Sequence, residues 1–113
     1  MVESLDAGDL DEILVADRPA VIEAWAPGCG ACHQIGRVLA LLSEHAPGID
    51  FYRLDVSDDG LRDAVTRLGI TAAPTVLVWH RGRERARSEG AGGASGLWDL
   101  ITRSLQGEGA SLT

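Results

Sequence analysis

The sequence predicts an α/β protein in which helices cover both faces of one mixed β-sheet. Two apolar, strand-like segments, residues 20–26 and 49–56, flank a helix-like segment, and a right-handed crossover between them would make the strands parallel. Residues 75–80 and 84–89 flank a short glycine-containing connection, which is typical of an antiparallel hairpin. A chain of 113 residues that is 45% hydrophobic can form one such domain with its own core.

Helical periodicity of apolar residues marks four segments, and each ends or begins at a residue suited to a helix terminus. They are residues 9–16, ended before Pro19; the segment after the cysteines, ended at Pro47; residues 61–68, capped at Asp58 or Asp59 and closed by Gly69; and residues 97–105. No repeat or second domain follows. We expect a single domain over residues 1–106 and a flexible tail over 107–113, which is small and polar.

Cys29 and Cys32 are the only cysteines, and they stand between the first buried strand and the helix that follows it. The carboxyl end of such a strand is where open α/β sheets carry their sites. A helix N-terminus also favours the thiolate form of a cysteine. A disulfide closed across two residues removes little entropy from the unfolded chain. The pair therefore predicts redox chemistry more than structural cross-linking.

Other interpretations of the cysteines are a structural disulfide, a zinc site and haem attachment. Zinc needs four ligands, and two cysteines with three scattered histidines supply too few in one place. The run from Cys29 to His33 matches a haem-attachment motif, but the strand-rich pattern and Met1 as the single methionine argue against haem. The glycine-rich run 90–96 lacks the lysine of a phosphate-binding loop. We expect no bound cofactor and no metal.

The composition limits the classes of binding partner and the cellular location that we expect. A net charge of −7 opposes binding to nucleic acid or to an anionic membrane surface. The first residues are acidic and lack the basic start and apolar core of a secretion signal, and no apolar run is long enough to span a membrane. We expect a monomer located in the cytoplasm.

Glu23 interrupts the first buried strand with a carboxyl group. Its apolar neighbours predict that it is buried and that desolvation raises its pKa. Arg53, on the next strand, either approaches Glu23 or extends to solvent. We expect His33 to lie at the surface. Trp79 and Trp98 are interpreted as core residues.

The order of elements and three motifs resemble the thioredoxin family across nearly the full length. The motifs are Trp25-Ala26 ahead of Cys29-Gly30-Ala31-Cys32, the run Gly69-Ile70-Thr71-Ala72-Ala73-Pro74-Thr75, and Glu89-Gly90-Ala91. The resemblance implies a thioredoxin-like three-layer α/β/α sandwich with a mixed central sheet. It also implies a thiol–disulfide oxidoreductase that reduces disulfides of client proteins through a mixed disulfide, with a thioredoxin reductase as electron donor.

The resemblance also assigns roles to individual residues. Cys29 would attack, Cys32 would resolve the mixed disulfide, and Glu23 would take the proton from Cys32. The bond between Ala73 and Pro74 would be cis and would form part of the substrate groove. The substrate-binding residues implied are Trp25, Gly28, Gly30, Ala31, Ala73, Pro74 and Gly90.

Several positions depart from the family pattern. Ala31 replaces a proline between the cysteines, which should change the balance between thiolate and disulfide. Gly28 replaces an aromatic residue; either this removes apolar docking surface or the backbone needs a positive φ there. The other departures are Glu23 for an aspartate, Arg53 and His33 for lysines, Arg37 for a kinking proline, and an N-terminus short of a full first strand. These departures leave a second class open, a non-reducing interaction module or redox sensor with the same fold.

Overall fold

The computed structural model describes residues 1–90 and 95–106, and within them the predicted elements are confirmed. The strands are β1 (Val2–Ser4), β2 (Ala20–Trp25), β3 (Asp50–Asp55), β4 (Thr75–His80) and β5 (Arg83–Glu89). The α-helices are α1 (Leu10–Val15), α2 (Gly30–His45), α3 (Arg62–Arg67) and α4 (Leu97–Leu105). Single turns of 3₁₀-helix, Ala7–Asp9 and Asp59–Leu61, lead into α1 and α3.

The five strands form one mixed sheet in the order β1-β3-β2-β4-β5. β3 is parallel to both β1 and β2, whereas β4 is antiparallel to β2 and to β5. The predicted hairpin turns at Arg81 and Gly82, which have φ values of 52° and 78°. Two positive φ values match the turn type that suits a twisted two-residue hairpin. The predicted fold class, helices on both faces of a mixed sheet, is therefore confirmed.

Side chains alternate between the two faces of the sheet and form two separate hydrophobic clusters. On one face, Val21 packs with α2 and α4; on the other, Ile22 and Ala24 pack with α1 and α3. Glu23 follows the same alternation, so it points to the face covered by α2, although it is polar. This places a carboxyl group inside an otherwise apolar layer.

Trp79 and His80, at the end of β4, hold the last turn of α1 and the segment that follows it. The indole N–H of Trp79 donates to the carbonyl oxygen of Leu14 at 2.8 Å. The Nε2 atom of His80 lies 2.9 Å from the carbonyl oxygen of Asp17, and His80 is buried. Trp79 also packs against the Leu14 side of the core, as predicted.

The interpretation of Trp98 as a core residue is wrong, because 38% of its surface is exposed. The buried stripe of α4 consists of Leu97, Ile101 and Leu105, at spacings of four residues. Trp98 lies one position further round the helix, at the margin of that stripe. The predicted flexible tail over 107–113 and residues 91–94 of the glycine-rich run lie outside the described residues.

Candidate active site

The cysteine pair lies where β2 ends and α2 begins. Cys29 is the N-cap of α2, with extended backbone angles, and Cys32 lies in the first turn of the helix. The two are joined by a disulfide with their Cα atoms 5.2 Å apart. The predicted position at the carboxyl end of a central strand is therefore confirmed.

The two sulfur atoms have different surroundings. Cys29 is half-buried, whereas Cys32 is fully buried beneath the helix. The backbone N–H of Cys32 donates to Sγ of Cys29 at 3.1 Å. A hydrogen bond to sulfur at a helix N-terminus stabilises a thiolate there, because the helix dipole and the N–H group both favour negative charge. The pair thus combines a half-buried cysteine, whose sulfur accepts a hydrogen bond, with a fully buried one.

Glu23 lies in the middle of β2 with no exposed surface, as predicted. In the register of the sheet it stands beside Arg53 of β3. The Nε atom of Arg53 donates to Oε1 of Glu23 at 3.1 Å. The open choice between pairing and extension to solvent is thereby decided in favour of pairing, although 29% of the Arg53 side chain remains exposed.

Burial raises the pKa of the Glu23 carboxyl above its ordinary value of 4.5, and the charge and hydrogen bond of Arg53 oppose this rise. Only one atom of each side chain takes part in the ion pair, Oε1 of Glu23 and Nε of Arg53. Oε2 of Glu23 and Nη2 of Arg53 are both buried, and among the described residues neither has a hydrogen-bond partner. A buried polar atom without a hydrogen-bond partner is costly, so this ion pair leaves part of both groups unsatisfied.

Trp25, the last residue of β2, covers Arg53. The guanidinium carbon lies 4.3 Å from the centroid of the indole ring, which is a cation–π contact. Arg53 therefore touches both the buried carboxylate and the aromatic residue that precedes the cysteine motif. The sequence analysis left the first of these contacts open and did not predict the second.

The loop before β4 runs beside the cysteine motif. The bond between Ala73 and Pro74 is cis, as the resemblance implied. Because Ala24 pairs with Thr75 across the antiparallel β2 and β4 strands, this bond lies next to the carboxyl end of β2. The N–H of Gly90 donates to the carbonyl oxygen of Pro74 at 2.8 Å, so Gly90, directly after β5, also lies at this end of the sheet.

Gly28 has a φ of +78° and an open space where a Cβ would lie. Residues with a side chain rarely adopt this conformation, so the backbone alone accounts for glycine at this position. His33 is exposed, as predicted.

Two cavities differ in their relation to the disulfide. A cavity of 300 Å³ beside Ala73 is lined by Val56, Val65, Ile70, Thr71, Ala72 and Ala73. A larger cavity of 380 Å³, near Arg18 and Pro47, lies at the amino ends of β2 and β3, so it is at the opposite end of these strands from the disulfide. The smaller cavity is the one that adjoins the site. Across residues 1–90 and 95–106, no group of three or more His, Cys, Asp or Glu residues could hold a metal ion.

Gly36 belongs to this site and was missed by the sequence interpretation. It lies one helical turn after Cys32, so it faces the sheet, and a Cβ built on it would lie 3.3 Å from Oε1 of Glu23. The available signal was a glycine in the interior of a strong helical pattern, which usually has a packing reason.

A half-buried and a fully buried cysteine in one disulfide, a buried carboxylate under the helix that carries them and a cis-proline loop beside them define a thiol–disulfide oxidoreductase site on an α/β/α sandwich. The thioredoxin family model matches residues 1–103. The chain belongs to the thioredoxin family.

Individual relatives agree with this assignment. The chain is 35% identical to thioredoxin-1 of Saccharomyces cerevisiae over 89 residues, which are 79% of this chain and 84% of the yeast protein. It is 30% identical to the chloroplastic M-type thioredoxin of Brassica napus over 95 residues, 83% of this chain but 52% of that protein. The crystal structure of Malassezia sympodialis thioredoxin matches with a TM-score of 0.82 at 27% identity, covering 92% of this chain and 90% of that one.

Proposed function

We propose that this protein reduces disulfides in client proteins, with Cys29 as the attacking thiolate and Cys32 as the resolving thiol. The observation that carries the assignment is the difference between the two sulfurs. Cys29 is accessible and accepts the N–H of Cys32, whereas Cys32 has no exposed surface. A client disulfide can therefore approach only the first sulfur without rearrangement of the helix.

The reaction transfers two electrons from the protein dithiol to the client. The Cys29 thiolate attacks one sulfur of the client disulfide, forms a mixed disulfide and releases the other client sulfur as a thiolate. Cys32 then loses its proton and attacks Sγ of Cys29. This step forms the Cys29–Cys32 disulfide and releases the second client sulfur, so the client leaves as a dithiol.

Glu23 is proposed as the acceptor of the Cys32 proton. Burial brings its pKa towards that of a thiol, and a proton acceptor works best when its pKa is close to that of the donor. Gly36 lies one helical turn below Cys32 and beside Glu23, so the carboxylate lies under the helix segment that carries the resolving sulfur. Transfer through a bridging water would suit this arrangement.

The proposed client groove runs along the cis-proline loop. Trp25, Ala73, Pro74 and Gly90 meet at this edge, and the cavity beside Ala73 is mainly apolar in its lining residues. Gly30 and Ala31 complete the surface next to Cys29. An extended client segment would bind here through backbone hydrogen bonds and one apolar side chain.

The proposed partners are a thioredoxin reductase as electron donor and disulfide-containing client proteins. The net charge of −7 makes nucleic acid and anionic membranes poor partners. Within the described part of the chain, no helix has the length and apolar character needed to cross a bilayer. We propose a monomer in the cytoplasm; the relatives include chloroplastic and mitochondrial forms, so localisation needs a direct test by fractionation.

The deciding experiment is an insulin-type disulfide reduction assay on the wild type, Cys29→Ser and Cys32→Ser. We expect Cys29→Ser to abolish reduction and Cys32→Ser to accumulate a mixed disulfide with the client. Full multiple-turnover activity in Cys32→Ser would refute the assigned roles. A wild type that forms the internal disulfide but does not reduce insulin would instead favour the interaction module or redox sensor.

A further inference from the structure

Gly36 is unusual because it lies inside the sixteen-residue helix α2. Glycine is less favourable than any residue except proline in a helix interior. Its backbone does not have the positive φ that requires glycine elsewhere in this chain. The reason for glycine must therefore be the space that it leaves.

That space is bounded by the buried ion pair. A Cβ on Gly36 would lie 3.3 Å from Oε1 of Glu23 and 3.7 Å from both Cζ and Nη2 of Arg53. The first distance is tighter than Cβ atoms ordinarily accept, so a neighbour would have to move by a few tenths of an ångström. The oxygen concerned is the same one that accepts the Arg53 hydrogen bond.

The two partners differ in their freedom to move. Glu23 is fully buried in the middle of β2, between Arg53 on β3 and Val76 on β4. Arg53 has 29% of its side chain exposed and can shift towards solvent. The tight contact is with Oε1 of Glu23, whereas the guanidinium atoms at 3.7 Å are at ordinary contact distance. A methyl group at position 36 would therefore press on the carboxylate, and the shift of the carboxylate would weaken its hydrogen bond with Arg53.

We infer that Gly36 is a positioning residue, whose missing side chain leaves the space in which the Glu23 carboxylate accepts the Arg53 hydrogen bond, under the helix that carries the resolving cysteine. Its effect on the ion pair follows from packing alone. Its effect on client reduction rests on the proposed role of Glu23 as proton acceptor.

The other groups around Glu23 leave Arg53 as its charged partner. β4 presents Val76 beside it, and α2 presents Gly36 and the disulfide-bonded Cys32. The remaining charged or titratable side chains of the two helices on this face are exposed: His33, Arg37, Glu44 and His45 on α2, and Asp99 and Arg103 on α4. Loss of the guanidinium would therefore leave the carboxylate without a nearby opposite charge in the described part of the chain.

The test is a carboxyl-carbon NMR titration of Glu23 in the oxidised protein, where the cysteines do not titrate. Selective labelling of glutamate, with Glu23→Gln to assign the resonance, gives the midpoint directly. We expect Gly36→Ala to raise the midpoint by about one pH unit or more, as loss of an adjacent opposite charge does. Arg53→Met should raise it as well. Adding Gly36→Ala to Arg53→Met should raise the midpoint by much less than Gly36→Ala does alone, because the hydrogen bond that the methyl group weakens is already absent.

Ala40→Gly is the matched control, since Ala40 is an exposed position one turn later in the same helix. It should lower the melting temperature and leave the Glu23 midpoint unchanged. An unchanged midpoint in Gly36→Ala would overturn the inference. So would an equal rise in the Arg53→Met background, because the effect of the methyl group would then not pass through the Arg53 hydrogen bond.

If Gly36→Ala alone does not fold, the comparison moves to the Glu23→Asp background, with aspartate labelled in place of glutamate. The aspartate side chain is one methylene shorter, so its carboxylate leaves room for the methyl group. We expect the double variant to fold and to keep the midpoint of Glu23→Asp alone. A double variant that fails to fold, or whose midpoint rises, would refute the role of Gly36.

A parallel pH profile of client reduction separates this inference from the proposed function. A shifted midpoint with a correspondingly shifted acid limb of the profile supports both. A shifted midpoint with an unchanged acid limb supports the positioning role and refutes Glu23 as proton acceptor.

Discussion

The guanidinium of Arg53 packs against the indole ring of Trp25, with its central carbon 4.3 Å from the ring centroid. One side chain thereby joins the buried carboxylate of Glu23 to the aromatic residue beside the proposed client groove. Any movement of Trp25 on client binding would disturb the ion pair, because Arg53 makes both contacts with the same planar guanidinium group.

A double-mutant cycle of Trp25→Leu and Arg53→Met should reveal a favourable coupling of about 0.5–1 kcal/mol in the free energy of unfolding, the range of a partly exposed cation–π contact. Urea titration of the four proteins gives this energy. Trp25→Phe should retain part of the coupling, since its ring still presents a π face. Strict additivity would mean that the contact contributes nothing.

Alkylation of the reduced protein should be selective. We expect iodoacetamide to modify Cys29 about tenfold or more faster than Cys32, because the thiolate is the reactive form and Cys32 is fully buried. Peptide mapping by mass spectrometry after short exposure measures both rates. Faster labelling of Cys32 would contradict the assignment of attacking and resolving roles.

Substitution of Gly28 should affect stability before it affects docking. Gly28→Ala and Gly28→Trp should each lose about 1–2 kcal/mol, because a side chain is strained at its φ of +78°. Thermal melts beside KM for a protein disulfide separate the two effects. Gly30→Ala is the stability control, since Gly30 has open space and no positive φ. A fully stable Gly28→Trp protein with a lower KM would revive the idea that this position lacks a docking aromatic.

The stability of the oxidised protein should fall as the pH rises through the Glu23 titration. Its folded pKa lies above the ordinary value of 4.5, so the folded state binds more protons than the unfolded state in that interval. The stabilisation is therefore complete below pH 4.5 and declines as the pH rises to the folded pKa, by at most about 1.4 kcal/mol per pH unit.

Glu23→Gln should remove this decline. Urea unfolding of the wild type and of the variant across the pH range measures the difference between the two slopes. Equal slopes would show that another group causes the pH dependence.

The fold could be predicted from local patterns because each element has its own apolar periodicity and termini. Glu23 was recognised as buried because it interrupts a strand that is otherwise apolar on both faces. Trp98 was assigned wrongly because residues next to a buried helical stripe have similar sequence neighbours to those inside it. Its exposure depends on how α4 lies on the sheet.

The site could be predicted only where a motif identified it. Cys29, Cys32 and Pro74 stand in recognisable runs, but the contact between Arg53 and Trp25 depends on the register of β2 against β3. The space beside Gly36 depends on how closely α2 packs against Glu23 and Arg53. Both are properties of packing between elements far apart in the chain.

The hydrogen bonds from Trp79 and His80 to Leu14 and Asp17 span 65 and 63 positions of the chain. During synthesis the N-terminal helix emerges first, yet the groups that hold its trailing end belong to β4. β2 likewise lacks one of its two neighbours until β4 is present. We therefore expect the N-terminal half to remain only loosely assembled on the ribosome until His80 has left the exit tunnel, with docking of α1 among the later events of folding.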